Sequence, residues 1–402
     1  MTNSLKSDTL PGGEHIEKGN MRIAIATGTR ADWGLLMPLA SELRRRGADI
    51  RVIATNMHLL PECGHTVDEI TRDGFGPHAT VPCHGTPSEI TADTLRGFSE
   101  TLTELQPDAI VILGDRFEML GAASAALLTG IPIIHIAGGT VSEGAFDDSI
   151  RHAITKMATL HLVETELCRS RVVQMGENPE DVIVTGAIGV FNAMNVTLMN
   201  RQELENSLGF SLEGNVVLAT LHAATRDPNP PAVQMKNLLE ALSRKMEEDP
   251  EMKVVFTYPN NDVDSSALIE AIEKFSAENN DRVLAIPSLG RLRYLSILRV
   301  AMTVVGNSSS GLVEVPSAGI PTLDIGIRQQ GRECGESVLH CGSEPAEIAA
   351  GLDKVLSANF RKKACTLPNP YFKENTPGVM AEAILSREWA PFPAKRFHSL
   401  QK

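Results

Sequence analysis

Short, wholly apolar runs alternate with amphipathic stretches, the alternation breaks at Gly186-Ala-Ile-Gly189, and then it starts again. This pattern constrains the fold more than any other feature of the chain. In the first series, strands are expected at residues 22–26, 49–54, 108–113, 131–136, 160–163 and 181–184, with helices such as 32–46, 88–105 and 117–129 between them. In the second, strands are expected at 216–220, 253–257, 282–286, 301–306 and 322–325, again separated by helices. Strands joined through helices lie parallel, and a parallel sheet needs helices on both faces. The expected architecture is α/β: two doubly wound Rossmann-like lobes with a cleft between them. The lobes are read as residues 21–190 and 191–376, with a hinge near 187–200, and a last helix at 377–390 is expected to follow. A ligand of such a molecule belongs in the cleft, at the carboxyl ends of the strands.

The charge balance narrows the function. With 50 acidic against 37 basic residues the net charge is −13, which argues against nucleic acid or an anionic membrane as partner. Any phosphate site must be local. The six cysteines, at 63, 83, 168, 334, 341 and 365, form no C-x-x-C pair and no zinc spacing, and read as reduced thiols. No apolar run approaches the ~20 residues of a membrane span. Residues 1–20 lack the apolar centre of a signal peptide and are expected to be a disordered leader. The expected location is the cytoplasm.

Polar chemistry gathers where the apolar runs end. The run 301–306 passes into Asn307-Ser-Ser-Ser-Gly311 and on to Glu314. A turn of this kind at a helix start offers N–H groups and hydroxyls to an anion, although ordinary helix capping explains it equally well. The first strand leads into Thr27-Gly-Thr-Arg-Ala-Asp-Trp-Gly34, which is not G-x-G-x-x-G, and the second ends in Thr55-Asn56 without a ribose-binding acid. NAD and FAD are thereby disfavoured. Arg30 suits either a diphosphate or an ion pair with Asp32. Gly114-Asp-Arg-Phe-Glu118 sets Asp115 at a strand end, where partial desolvation suits a proton-transfer group. After the next strand comes His135-Ile-Ala-Gly-Gly-Thr-Val-Ser-Glu143, a glycine loop, and then a helix opened by Asp147 and Asp148 that carries Arg151 and His152. His222 follows the first strand of the second lobe. Each of these also has a structural explanation as a cap or a satisfied core residue. A metal reading of His135, Asp115, Asp147 and His152 matches no recognised ligand spacing.

Taken together, these blocks resemble the hydrolysing nucleotide-sugar 2-epimerases of sialic-acid and legionaminic-acid biosynthesis. Ser288-Leu-Gly-Arg-Leu-Arg-Tyr-Leu-Ser296, Ile325-Gly-Ile-Arg-Gln-Gln-Gly-Arg332 and Asn369-Pro-Tyr-Phe-Lys-Glu-Asn375 extend the likeness over nearly the whole folded part. The resemblance implies the GT-B-type fold of nucleotide-sugar glycosyltransferases, with the last helix packed back on the first lobe. It implies a UDP- or GDP-linked substrate, release of the free manno sugar through a glycal, no cofactor or metal, and a homodimer or homotetramer. Carried over by position, Asp115, Asp147 and His222 are the catalytic candidates, joined by Glu118 and Glu143. Ser308, Ser309, Ser310, Gly311, Asn307 and Glu314 match phosphate and ribose binders. Arg30, Arg328 and Arg332 match diphosphate contacts, and Ser288, Leu289 and Gly290 lie where the nucleobase is held. His135, Asp148 and Arg151 are the sugar-side candidates. This chain departs from the pattern at Ala137, Thr140 and Ala223, which leaves the general base open. A glycosyltransferase of the same fold and a non-catalytic nucleotide-sugar sensor are the competing readings.

Overall fold

The computed structural model describes residues 20–61, 64–141, 147–224, 227–259, 265–389 and 395–399. Residues 1–19 of the expected leader, and Glu143, lie outside them.

Seven strands form the first sheet: β1 (Arg22–Thr27), β2 (Asp49–Thr55), β3 (Ala79–Val81), β4 (Ala109–Leu113), β5 (Ile133–Ile136), β6 (Leu160–Val163) and β7 (Val182–Val184). Six form the second: β8 (Asn215–Thr220), β9 (Met252–Thr257), β10 (Val283–Ile286), β11 (Ala301–Gly306), β12 (Thr322–Ile325) and β13 (Val338–Cys341). The orders are β3-β2-β1-β4-β5-β6-β7 and β10-β9-β8-β11-β12-β13, parallel throughout. The absence of polar alternation in the strands follows from this. Ile23, Ala24, Ile25 and Ala26 are successive residues and all fully buried, because helices cover both faces.

Strand order reverses between β1 and β4, and again between β8 and β11. At such a switch point the flanking loops run to opposite sides and leave a crevice at the carboxyl ends. The four segments that leave these strands begin with Gly28, Gly114, Leu221 and Asn307, so the polar blocks of the sequence start at the two switch points.

The stretch read as a hinge carries a helix over Ile188–Asn195. Asn192 donates from Nδ2 to the Gly34 carbonyl at 3.0 Å, tying this helix to the first lobe. Alongside it the chain returns from the second lobe: Tyr371 is buried against Ala187 and Val190, and the Ala187 N–H donates to the Tyr371 carbonyl at 2.9 Å. Helix Thr376–Leu385 then lies on helix Arg30–Arg45, with Met380, Ala381 and Ile384 in one core with Leu36, Leu39 and Leu43. The helix expected to run on from Gly311 is a single turn, Ser310–Val313, followed by the 3-10 turn Val315–Ala318. Pro316 brings no N–H to an α-helical ladder, and Gly319 ends the segment in the left-handed region at φ 72°. Among the described residues no helix is long and apolar enough to cross a membrane.

Candidate active site

A cavity of about 260 Å³ opens between the lobes, where the first switch point faces the Ser309 turn. Its walls bring together Asp32, Asp115, Arg116, Arg151 and Glu164 from the first lobe with Ser309, Glu314 and Arg332 from the second. Four carboxylates and three guanidiniums therefore share one small space, with Ala137, Thr140 and Gly186–Gly189 between them.

The first-lobe groups are held by charge. Arg151 is 3% exposed and donates to the Asp115 carboxylate, to Asp148 Oδ1 at 2.9 Å and to the Thr140 carbonyl at 2.7 Å. Asp148 also meets His152 at 3.2 Å. Asp115 is thus a paired carboxylate aimed by Arg151, not the lone desolvated acid that its strand-end position suggests. Arg116 pairs with the buried Glu118. Burial disfavours the Arg116 cation, but the fields of Glu118, Asp32 and Asp147 outweigh this and hold its charge firmly. Asp147 opens helix Asp147–Met157 on the Arg116 side.

Three cavity carboxyls are pushed toward the protonated form. Burial raises Asp32 to about 6 against the opposing pull of Arg116, and its Oδ2 is buried without a hydrogen-bond partner. Glu314 rises to about 7 through burial, opposed by a hydrogen bond with Ser310. Glu164, directly after β6, is raised by burial despite the nearby charges of Arg332 and Arg151. Carboxyls with a raised pKa in a walled space are suited to proton transfer.

Several site residues read from the sequence hold the walls and do not line them. Glu118 is fully buried beneath Gly28, where a Cβ on residue 28 would come 2.5 Å from its Oε1 and displace the carboxylate. His135 is fully buried, hydrogen-bonded through Nε2 to the Gly114 carbonyl at 2.8 Å and through Nδ1 to Thr155 at 3.1 Å, and burial pushes it down to about 3. It is a neutral brace under the Asp115 turn and does not line the cavity. Asn307 is fully buried with its amide engaged on both sides: Oδ1 accepts from the His222 N–H at 2.8 Å, and Nδ2 donates to the His222 carbonyl at 3.0 Å. Its own carbonyl accepts from Arg328 and from Gln329, each at 2.9 Å. His222 is buried and does not line the cavity; burial and the Arg328 charge lower it to about 4, so it is neutral. Ser310 Oγ meets the Tyr294 hydroxyl, and Gly311 packs on Thr322.

Two more candidates sit elsewhere. Arg30 has a side chain 64% exposed and pairs with Glu69 at 3.5 Å, neither in the cavity nor on Asp32. The reason is helical geometry: positions two apart point to nearly opposite faces, so a cavity-facing Asp32 turns Arg30 outward. Ser288 accepts the Gly290 N–H at 3.1 Å and Leu289 is buried in the second-lobe core, so this turn is shaped by its own contacts. Sequence reasoning passed over Asp32, Arg116 and Glu164 as site residues. The signal that selected Asp115, an acid at the end of an apolar strand, is present at Glu164 as well.

Comparison with known proteins follows this geometry. Residues 41–385 match the model of the family described as UDP-N-acetylglucosamine 2-epimerase. A GDP/UDP-N,N'-diacetylbacillosamine 2-epimerase (hydrolyzing) of Campylobacter jejuni is 33% identical over 353 residues, covering 85% of this chain and 89% of that protein. Polysialic acid biosynthesis protein P7 of Escherichia coli is 34% identical over 362 residues, covering 88% and 91%. Among solved structures, the UDP-GlcNAc 2-epimerase of Neisseria meningitidis bound to UDP-GlcNAc superposes with a TM-score of 0.72 at 18% identity, over 91% of this chain and 100% of that one. At that identity the superposition speaks for the two-lobed fold.

Proposed function

This chain belongs to the UDP-N-acetylglucosamine 2-epimerase family, and on that premise we propose that it is a hydrolysing nucleotide-sugar 2-epimerase. Its substrate would be UDP-N-acetylglucosamine or a UDP- or GDP-linked 2,4-diacetamido-2,4,6-trideoxyglucose. Water and this sugar give the free 2-epimeric manno sugar and the nucleoside diphosphate, for nonulosonic (sialic or legionaminic) acid biosynthesis. The enzyme acts in the cytoplasm as a homo-oligomer in this reading.

One observation carries the proposal: carboxyls with raised pKa and fixed guanidiniums line the same inter-lobe cavity. Epimerisation at C2 needs a base for a weakly acidic C–H, a proton source on the other ring face, and cations for the departing diphosphate. In elimination the base takes the C2 proton, the C1–oxygen bond breaks, and the diphosphate leaves toward Arg332 and the Ser309 turn. In addition a carboxyl returns a proton to C2 from the opposite face, and the oxygen of water bonds to C1. Asp115 and Asp32 supply carboxylates from the first lobe. Glu314, on the second, would meet the nucleotide ribose in this reading. With Ala137 and Thr140 carrying no ionisable group, Asp32 and Glu164 are the cavity carboxyls that extend the acid–base set.

Turnover in D2O followed by NMR tests this. A free manno sugar with deuterium at C2 is expected. Transfer to an acceptor with C2 unchanged, or binding without turnover, would overturn the reading.

A further inference from the structure

On the far side of the segment that carries Arg332, three side chains form a relay outside the cavity. His340 Nδ1 lies 2.8 Å from Asp324 Oδ2, and His340 Nε2 lies 3.2 Å from Cys334 Sγ. The fold builds this arrangement directly. β12 and β13 are parallel neighbours in which Asp324 pairs with His340, so both side chains leave the same face. The loop between these strands returns Cys334 to that face. Asp324 is 1% exposed, with Oδ1 buried and unpartnered, so its charge is directed at the imidazole. His340 is half exposed, and its hydrogen bonds, first to Asp324 and then to Cys334, push it up to about 10.

A thiol, an imidazolium beside it and a carboxylate that orients the imidazolium make up a general arrangement of an activated thiol. The other described cysteines lack it. Cys83 and Cys168 are buried. Cys341, the neighbour of His340, faces the opposite side of the strand and is pushed by burial to about 12. Cys365 is the most exposed, and its thiol donates to the Gly319 carbonyl at 3.2 Å.

We propose that Cys334, His340 and Asp324 form a thiol-modification site that exchanges with low-molecular-weight disulfides, and that the resulting mixed disulfide weakens nucleotide binding at Arg332. In the step, the thiol gives its proton to solvent and the sulfur, beside the His340 imidazolium, attacks one sulfur of the disulfide. The old S–S bond breaks, the Cys334–S–S–R bond forms, and the leaving thiolate departs as the free thiol with a proton from solvent. The coupling follows from chain distance. Arg332 lines the cavity two residues before Cys334, and the intervening Glu333 carbonyl is anchored by the Tyr371 hydroxyl at 2.8 Å. A group added at residue 334 must shift this short anchored segment. The exchange chemistry stands by itself, whereas its effect on affinity rests on the nucleotide reading above.

The test uses the full chain carrying Cys63→Ser, treated with glutathione disulfide, with the rate at each cysteine followed by mass spectrometry. Cys334 is expected to react at least ~10-fold faster than the more exposed Cys365, with His340→Gln bringing it down to the Cys365 rate. Exposure alone would put Cys365 first. That order, or a Cys334 rate indifferent to His340→Gln, overturns the thiol site. On the modified chain the Kd for UDP is expected to rise several-fold, to recover with dithiothreitol, and to stay constant in Cys334→Ser. Unchanged affinity in a chain fully modified at Cys334 overturns the coupling. Failure of the untreated chain to bind UDP strikes the nucleotide reading, and the cysteine rates still decide the site.

Discussion

The two switch points share one topology but hold their polar groups in different ways. Around β1 and β4 the groups are charged and paired, Asp115 and Asp148 on Arg151, and Glu118 on Arg116. Around β8 and β11 the clamp is neutral: Asn307 and the His222 main chain exchange two hydrogen bonds, and the His222 ring stays uncharged. The difference follows the chemistry assigned to each lobe. A site that removes and returns a proton needs carboxylates fixed in direction, and an ion-pair network fixes them. A site that receives a diphosphate gains more from neutral donors and a few cations, because the ligand brings the charge. An ion-paired wall is also the more brittle one, since loss of a single partner leaves a buried charge uncompensated.

The largest effect should therefore come from Arg151. We expect Arg151→Met to lower stability by about 3–5 kcal/mol, because Asp115, Asp148 and the Thr140 carbonyl all lose a donor that is itself buried. Urea unfolding that leaves the midpoint unchanged would break the contrast between the lobes. Next come the acids themselves. Asp115→Asn and Asp147→Asn should each slow turnover by at least ~100-fold, about 2.7 kcal/mol of barrier, while nucleotide binding survives. Parent-like turnover in both would mean that the first lobe's charges serve only the fold.

Glu314 tests the second lobe. Glu314→Ala should weaken UDP or GDP binding by about 1–3 kcal/mol, the cost of leaving a ribose hydroxyl unpaired, and calorimetry reads it directly. Its titration also has a definite sign. The folded state holds the Glu314 proton up to about 7, whereas the unfolded chain releases it near the ordinary value of 4.5. The contribution to stability is therefore complete below about 4.5 and lost as pH rises through 7. Glu314→Gln removes that loss, so its stability relative to the parent should climb across this window. A flat difference would show that Glu314 is ionised and water-exposed in the folded protein.

Much of the fold was legible because buried parallel strands are apolar at every position, a signal that needs no knowledge of partners. The elements that escaped are short, such as β3, β13 and helix Val67–Arg72, where too few residues exist for a period to repeat. The candidate site was legible to the level of which strand ends bring polar side chains to the cavity. What the sequence does not show is the partner of each polar atom. His135 and Asn307 have the composition of ligand-binding residues, yet the backbone of the turns they brace absorbs their hydrogen bonds. Asp32 lay inside a quoted motif beside Arg30, and choosing between them required knowing which helix face meets the cavity.

That choice yields the smallest expected effect. Arg30 is an exposed cation opposite Glu69, and pairs of this kind contribute at most ~1 kcal/mol because water screens them and two long side chains must be ordered. We expect Arg30→Ala to shift stability by no more than about 0.5 kcal/mol and to leave UDP affinity within about twofold, since the side chain does not line the cavity. Asp32→Asn is the matched control from the inner face of the same helix turn, and it should lower turnover with little change in binding. A tenfold loss of nucleotide affinity in Arg30→Ala would reverse the assignment. It would require Arg30 to swing from Glu69 into the cleft when the lobes close on the diphosphate, and scattering with and without UDP would then show the compaction that such a movement needs.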